Sequence, residues 1–187
     1  YSEFYEGRGF ASGKNLIGRV IELQGREIPI GIDLLCEDEE TGAVLGAEIC
    51  EDLWVASPPS VELALSGALV IVNLSASNEA VSKASYRRDL VKGQSGRLIC
   101  AYIYASAGEG ESTQDVVYSG HDIIAEDGSI VSESRRFSNG IIYGDIDLKK
   151  LNSERRRITT FGGNFGGNFG RNVGRNFGRN IGGNAKD

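Results

Sequence analysis

The stretch with the most chemical potential is Gly46-Ala47-Glu48-Ile49-Cys50-Glu51-Asp52-Leu53-Trp54. It reads as a strand that ends at a cysteine, turns at two acids and leads through Pro58-Pro59-Ser60 into a helix. A thiolate at a strand end is held by the sheet and exposed at its edge. The amide N–H groups of the next turn then point toward a developing oxyanion. That pattern suits a cysteine nucleophile; it also suits a small buried hydrophobe, the usual state of a free cysteine. The other cysteines, Cys36 and Cys100, read as core or neutral positions. A nucleophilic cysteine needs a base. His121 is the single histidine, and its neighbours Gly120 and Asp122 read as turn and edge, so it is expected to be exposed or structural. Without histidine, a lysine must lower the thiol pKa and a carboxylate must carry the proton. Glu51 and Asp52 oppose thiolate formation unless a cation lies close.

The elements that must position this segment alternate strand and helix. Residues 18–23 and 27–36 read as two strands joined by a turn at Gln24-Gly25-Arg26. A short buried run covers 44–50. A helix capped by Ser60 runs through Gly67, and the apolar run 68–74 reads as a strand covered on both faces. Residues 81–99 read as a helix with Tyr86, Leu90 and Leu98 facing inward, followed by a strand over 101–105. Asp127-Gly128 signals a hairpin between 121–125 and 129–133. A last strand over 140–147 leads to a short basic helix over 149–157. This order predicts an α/β fold with a mixed sheet.

From Phe161 the composition changes to a tetrapeptide repeat. Phe161, Phe165, Phe169, Val173, Phe177 and Ile181 recur every fourth residue, each followed by Gly, then by Gly or Arg, then by Asn. No single apolar face accumulates on a helix at that period, and the interior glycines disfavour one. Residues 162–187 are therefore expected to be a disordered low-complexity tail beside a body of residues 1–161. The tail carries a net +3, which leaves -9 on the body of a chain whose net charge is -6. That balance argues against a nucleic-acid binder driven by bulk charge. No apolar run reaches the roughly 18–20 residues that span a bilayer. Three widely spaced cysteines and one histidine make neither a disulfide framework nor a metal site. The expected compartment is the reducing cytoplasm. The 187 residues contain no methionine and open at Tyr1, so a piece of a longer protein is expected.

The runs EICEDLW (48–54), NLSASNEAVSKASYRR (73–88), AYIYASAGEGESTQDVVYSGH (101–121) and LNSERRRITTF (151–161), with YSEFYEGR (1–8), resemble a known family. It is the glutamine-hydrolysing domain of glutamine-dependent NAD+ synthetases, within the nitrilase (carbon–nitrogen hydrolase) superfamily. The resemblance covers residues 1–161. It implies a four-layer αββα sandwich, here partial because its first strands and helices would precede Tyr1. It makes Cys50 the nucleophile of a Glu–Lys–Cys triad that attacks the side-chain amide of glutamine. Glu3 matches a supporting glutamate, and Tyr1, Trp54, Ser77 and Lys83 match positions lining the glutamine pocket. The Glu51 backbone N–H would serve the oxyanion, and its carboxylate the substrate's α-amino group.

The triad lysine would lie just before Tyr1 and the triad glutamate far upstream, so the chain alone is expected to hydrolyse glutamine little or not at all. ATP, Mg and deamido-NAD+ would bind to a synthetase domain of the same parent chain, and no cofactor is expected in this one. The implied partners are glutamine, that synthetase domain and further copies of the chain, with no nucleic acid or membrane. Two alternatives stand beside this reading. One is a stand-alone amidase of the same superfamily. The other is a catalytically dead fragment acting as an interaction module.

Overall fold

A computed structural model of the chain describes residues 10–13, 16, 19–162 and 173–174. Strands β1 (Arg19–Leu23) and β2 (Arg26–Ile30) form a separate two-stranded ribbon. Its turn residues Gln24 and Gly25 both have positive φ, 52° and 74°, as a tight hairpin turn requires. A seven-stranded sheet holds β3 (Leu35–Glu37), β4 (Val44–Ile49), β5 (Val70–Ser75), β6 (Ala101–Ser106), β7 (Ile123–Glu126), β8 (Ser129–Glu133) and β9 (Val173–Gly174). Its order is β8-β7-β6-β5-β4-β3-β9. The central β4, β5 and β6 are parallel, β3, β7 and β8 pair antiparallel to their inner neighbours, and β9 lies parallel to β3. The mixed α/β sheet expected from the order of elements is the one observed.

Helix α1 (Pro59–Leu65) connects β4 to β5 and α2 (Lys83–Leu98) connects β5 to β6. Both cover one face of the sheet, where Leu63, Ala64, Val91 and Leu98 pack on Ile71, Tyr102, Tyr104, Ile123 and Ala125. Gly46 lets α1 approach closely there: a Cβ would stand 3.0 Å from the Leu63 Cβ. On the opposite face α3 (Leu148–Arg156) sets Leu151 against Val70 and Ala101, and α4 (Thr159–Gly162) brings Phe161 to the same cluster. That cover stops short of the C-terminal ends of β4 and β5, where Ile49 and Leu74 are 66% and 62% exposed.

Several expectations are corrected. The predicted strand 27–36 is two strands in different sheets, because the chain bends between Ile30 and Leu35. The predicted strand 140–147 forms no ladder. It crosses the sheet face with Gly144 against Val131 and Ile124, while Ile141 and Tyr143 are exposed. Its Ile-Ile-Tyr run has the composition of a strand, but none of these residues is fully buried, and Ile146 packs on the sheet without pairing. Ser60 is not the cap of α1. Pro58 holds that place, Pro59 opens the helix with its preset φ, and the Ser60 N–H donates to Glu48 Oε2 at 2.8 Å. A carboxylate from the neighbouring strand thus satisfies the helix start. Tyr86 lies outward, 55% exposed, because the inward stripe of α2 is partly polar: Arg87, Gln94 and Ser95 beside Val91 and Leu98. Cys36 is exposed, on the outward side of β3, rather than in the core. The tail reading for 162–187 falls mostly outside the described residues; within it Gly162 ends α4 and Val173–Gly174 forms β9.

The helices and strands close on one side chain, Arg155. Its guanidinium donates to the carbonyls of Ile99 (2.9 Å), Ala64 (3.3 Å), Ala68 (2.8 Å) and Leu98 (2.9 Å). These carbonyls belong to the C-terminal ends of α1 and α2 and the residues that follow, where helices leave acceptors unpaired. The ring of Phe161 covers the guanidinium at 4.7 Å. Arg155→Met keeps the aliphatic stem but strands buried carbonyls, and is expected to lower unfolding free energy by about 2–4 kcal/mol in urea denaturation. Arg155→Lys, which still donates, is expected to lose less.

Candidate active site

Strand β4 delivers Cys50 into a turn of 3-10 helix over Cys50–Trp54. Cys50 itself has φ 50°, a left-handed conformation that costs a non-glycine residue about 1–2 kcal/mol. The surrounding structure imposes it. The Cys50 N–H donates to Asn73 Oδ1 at 3.0 Å, and Asn73 Nδ2 donates back to the Cys50 carbonyl at 3.4 Å. Asn73 is 1% exposed, in the middle of β5. Its Nδ2 also donates to the Tyr102 hydroxyl at 3.1 Å, and that hydroxyl donates in turn to Glu48 Oε1. Glu48 takes the Ser60 N–H with its second oxygen, and Gln94 Nε2 donates to Ser60 Oγ at 2.9 Å. Burial, then the charge of Glu48, drives the Tyr102 phenol far above its usual pKa, so it remains a donor. On the near side of the turn, the Ile49 N–H donates to Asp52 Oδ2 at 2.8 Å. Asp52 is therefore a turn-forming carboxylate, and Glu51 beside it is exposed.

The segments following β5 and β6 lie at the same end of the parallel strands as Cys50, the end at which open α/β sheets bind ligands. Ser77 is buried and its hydroxyl has no partner of hydrogen-bonding geometry, although it lies close enough to the Tyr104 phenol to oppose the rise that burial causes there. Lys83, the first residue of α2, is half-buried. Its Nζ donates to Asn78 Oδ1 and stands 5.2 Å over the ring of Trp54. Trp54 in turn meets Tyr86 with ring centroids 5.5 Å apart. Burial lowers the Lys83 pKa, Arg87 lowers it further, and the charges of Cys50 and Glu79 act against both. Lys83 is thus among the electrostatic neighbours of Cys50.

Of the residues singled out in the sequence, Cys50, Trp54, Ser77 and Lys83 converge at this end of the sheet, with Glu51 on its rim. Tyr1 and Glu3 lie outside the described residues. His121 is not at the site: it is 3% exposed and tied to Arg87 and Glu133. Cys100 is fully buried, and burial pushes its thiol up to about 12. Among the described residues no group of three or more His, Cys, Asp or Glu side chains could hold a metal ion. Sequence reasoning missed Asn73, Glu48 and Tyr102. A signal existed for Asn73, a lone amide in an otherwise apolar strand, which must be paired if buried.

The strain at Cys50 has a measurable consequence. Glycine tolerates positive φ and alanine does not, so Cys50→Gly is expected to be about 1 kcal/mol more stable than Cys50→Ala in thermal unfolding. The reverse order would show that the left-handed turn is absent in solution.

Residues 19–156 match the carbon-nitrogen hydrolase family. Among curated relatives, the glutamine-dependent NAD(+) synthetases of Mycobacterium bovis and Mycobacterium leprae are each 44% identical over 167 residues, covering 88% of this chain and 24% of their own length. The chain thus spans about a quarter of the length of these relatives. Among solved structures, a glutamine-dependent NAD(+) synthetase from Cytophaga hutchinsonii superposes with a TM-score of 0.60 at 31% identity, over 72% of this chain and 21% of that one. A nitrilase-superfamily member, Nit3 of Saccharomyces cerevisiae, shares the fold with a TM-score of 0.53 at 22% identity, over 62% of this chain and 41% of that one. A family match across most of the body, on a fold that sets a cysteine at the strained end of a parallel strand, has one meaning: the chain belongs to the carbon–nitrogen hydrolase family.

Proposed function

We propose that these residues are part of a glutaminase whose nucleophile is Cys50 and whose ammonia feeds an amide-forming synthetase on the same parent chain. The observation that carries the reading is the Cys50 turn: a left-handed cysteine at the end of β4, clamped at both N–H and C=O by Asn73, with Lys83 electrostatically coupled to it. A clamped backbone fixes where the sulfur and the following amides point, which is what acyl transfer needs. The thiolate would attack the side-chain amide carbon of glutamine. The carbonyl oxygen would take up negative charge facing the Glu51 N–H. Collapse expels ammonia, protonated by the triad glutamate assigned outside these residues, and leaves a γ-glutamyl thioester; that glutamate regains the proton from the water that follows. Water then adds and releases glutamate and the thiol.

The amino-acid end of glutamine carries a carboxylate and an ammonium. On this reading Lys83, backed by Trp54, meets the carboxylate, Ser77 supplies a buried hydroxyl and Glu51 meets the ammonium. Tyr1 and Glu3 complete the site as pocket wall and supporting acid. ATP, Mg and deamido-NAD+ belong to the proposed synthetase domain, where ATP-dependent amidation of deamido-NAD+ would consume the ammonia. A cytoplasmic homo-oligomer is part of the same proposal. So is the expectation that residues 1–187 alone release little or no ammonia, because the triad glutamate and lysine are assigned outside them.

The test is ammonia release from glutamine. In a parent chain extended to the length of its relatives, Cys50→Ala is expected to abolish release, by about 10^4-fold or more. The 187 residues alone are expected to stay near the uncatalysed background. Release that survives Cys50→Ala overturns the nucleophile assignment. Faster turnover of a simple aliphatic amide than of glutamine favours the stand-alone amidase.

A further inference from the structure

Among the described residues the largest fully buried side chain is Arg87, on the inward face of α2, with no exposed surface. Its Nη1 donates to Glu79 Oε2 at 3.2 Å and to His121 Nδ1 at 2.9 Å, and its Nη2 donates to the Asn78 carbonyl at 3.4 Å. A guanidinium only donates, so His121 Nδ1 is an acceptor and the ring proton sits on Nε2. That N–H donates to Glu133 Oε1 at 2.7 Å, and the other Glu133 oxygen takes Arg88 Nε at 2.8 Å. Glu79 also accepts from Ser119 Oγ at 2.6 Å and from Arg136 at 3.3 Å, and its N–H donates to the Val117 carbonyl at 2.7 Å.

This cluster is costly as a purely structural device. Burying a guanidinium requires full pairing, yet Arg87 Nε has no partner. What the cluster does hold is the segment between β5 and α2, which has no regular structure from residue 76 to 80 and belongs to no ladder there. Asn78 is the link: its carbonyl rests on Arg87 and its side-chain oxygen accepts from Lys83 Nζ. Ser77 and Lys83 are therefore placed by a line of contacts that starts at Glu133 and passes through His121 and Arg87.

We propose that Arg87 and His121 are positioning residues for the amino-acid end of the substrate, fixing residues 77–83 so that Ser77 and Lys83 stay at the Cys50 turn. This rests on the glutaminase reading above. The ionisable groups facing His121 and its partners are Arg87 and Arg88 from α2, Glu79 from the preceding segment, Glu133 from β8 and Arg136 beyond it. Burial acts to raise Glu79 and Glu133, but Ser119 and Arg87 at the first, and Arg88 and His121 at the second, hold both below the usual carboxylate value. Both carboxylates stay charged and keep His121 and the arginines engaged. Removing the Nδ1 acceptor leaves the buried Arg87 Nη1 short of a partner, so its hold on the segment loosens.

The reporter is Trp54, the one tryptophan in the chain and the residue beneath Lys83. Its fluorescence is titrated in the full 187-residue protein with L-glutamine and with propionamide, which has the amide but no amino-acid end. Arg87→Gln is expected to weaken glutamine about tenfold at pH 7.5 and to leave propionamide alone. His121→Phe, which removes the acceptor for Arg87, is expected to do the same. His121→Gln keeps an acceptor for Arg87 and a donor for Glu133, so it is expected to bind glutamine as tightly as the unaltered protein. The two His121 variants decide the matter if Arg87→Gln fails to fold. Glutamine binding that His121→Phe leaves unchanged, or a loss that His121→Gln does not rescue, overturns the inference alone. No glutamine binding in the unaltered protein at pH 7.5 overturns the glutaminase reading and the inference with it.

Discussion

The conformation of Cys50 hangs on one line of buried hydrogen bonds, from Gln94 through Ser60, Glu48 and Tyr102 to Asn73. It joins α2, α1, β4, β6 and β5, so the three parallel strands and both covering helices meet at the candidate nucleophile. Each member satisfies a neighbour that would otherwise be buried without a partner. Such a network is worth having only when complete, because low local dielectric strengthens made bonds and penalises missing ones alike. Its product is a cysteine held at positive φ, with carbonyl and amide fixed by one asparagine. The strain is local and the compensation is spread over the sheet, which is how functional sites keep conformations that their residues do not prefer.

Two buried arginines show different uses of the same group. Arg155 donates only to backbone carbonyls, at the ends of α1 and α2 and just beyond, where helix dipoles favour a cation. It has no carboxylate partner in those contacts and serves as a common cap for two helices. Arg87 is set among Glu79, His121 and the Asn78 carbonyl, in a cluster whose charges nearly balance but whose pairing is incomplete. The first arrangement stabilises the layers. The second ties an irregular segment to the sheet and, through Asn78, to the cation beside Cys50.

Much of the fold was legible because its signals are local. Gln24-Gly25 and Asp127-Gly128 both turn with positive φ as their types require, and the helix predicted over 81–99 is α2 with its ends moved inward. The failures share one cause. Residues 140–147 carry the Ile-Ile-Tyr composition of a strand, but composition cannot report a pairing partner. Ser60 has the right chemistry for a cap, but a carboxylate on the next strand took its place. Tyr86 has the right spacing to face inward, but the inward stripe of α2 is occupied by Arg87 and Gln94, which serve polar partners.

The candidate site divides along the same line. The sequence alone determined that Cys50 stands where a strand gives way to a turn, and that an acid-rich turn needs a nearby cation, since both follow from adjacent residues. The resemblance it carries brought Trp54, Ser77 and Lys83 into view. Only the tertiary structure decided that Asn73 clamps Cys50, that Glu48 caps α1, that Arg155 gathers four carbonyls and that His121 supports Arg87 instead of the nucleophile. Those contacts span separations from 12 to 91 residues. Composition and periodicity describe neighbours along the chain, whereas a buried donor is satisfied by whatever acceptor the folded layers bring within 3 Å or so.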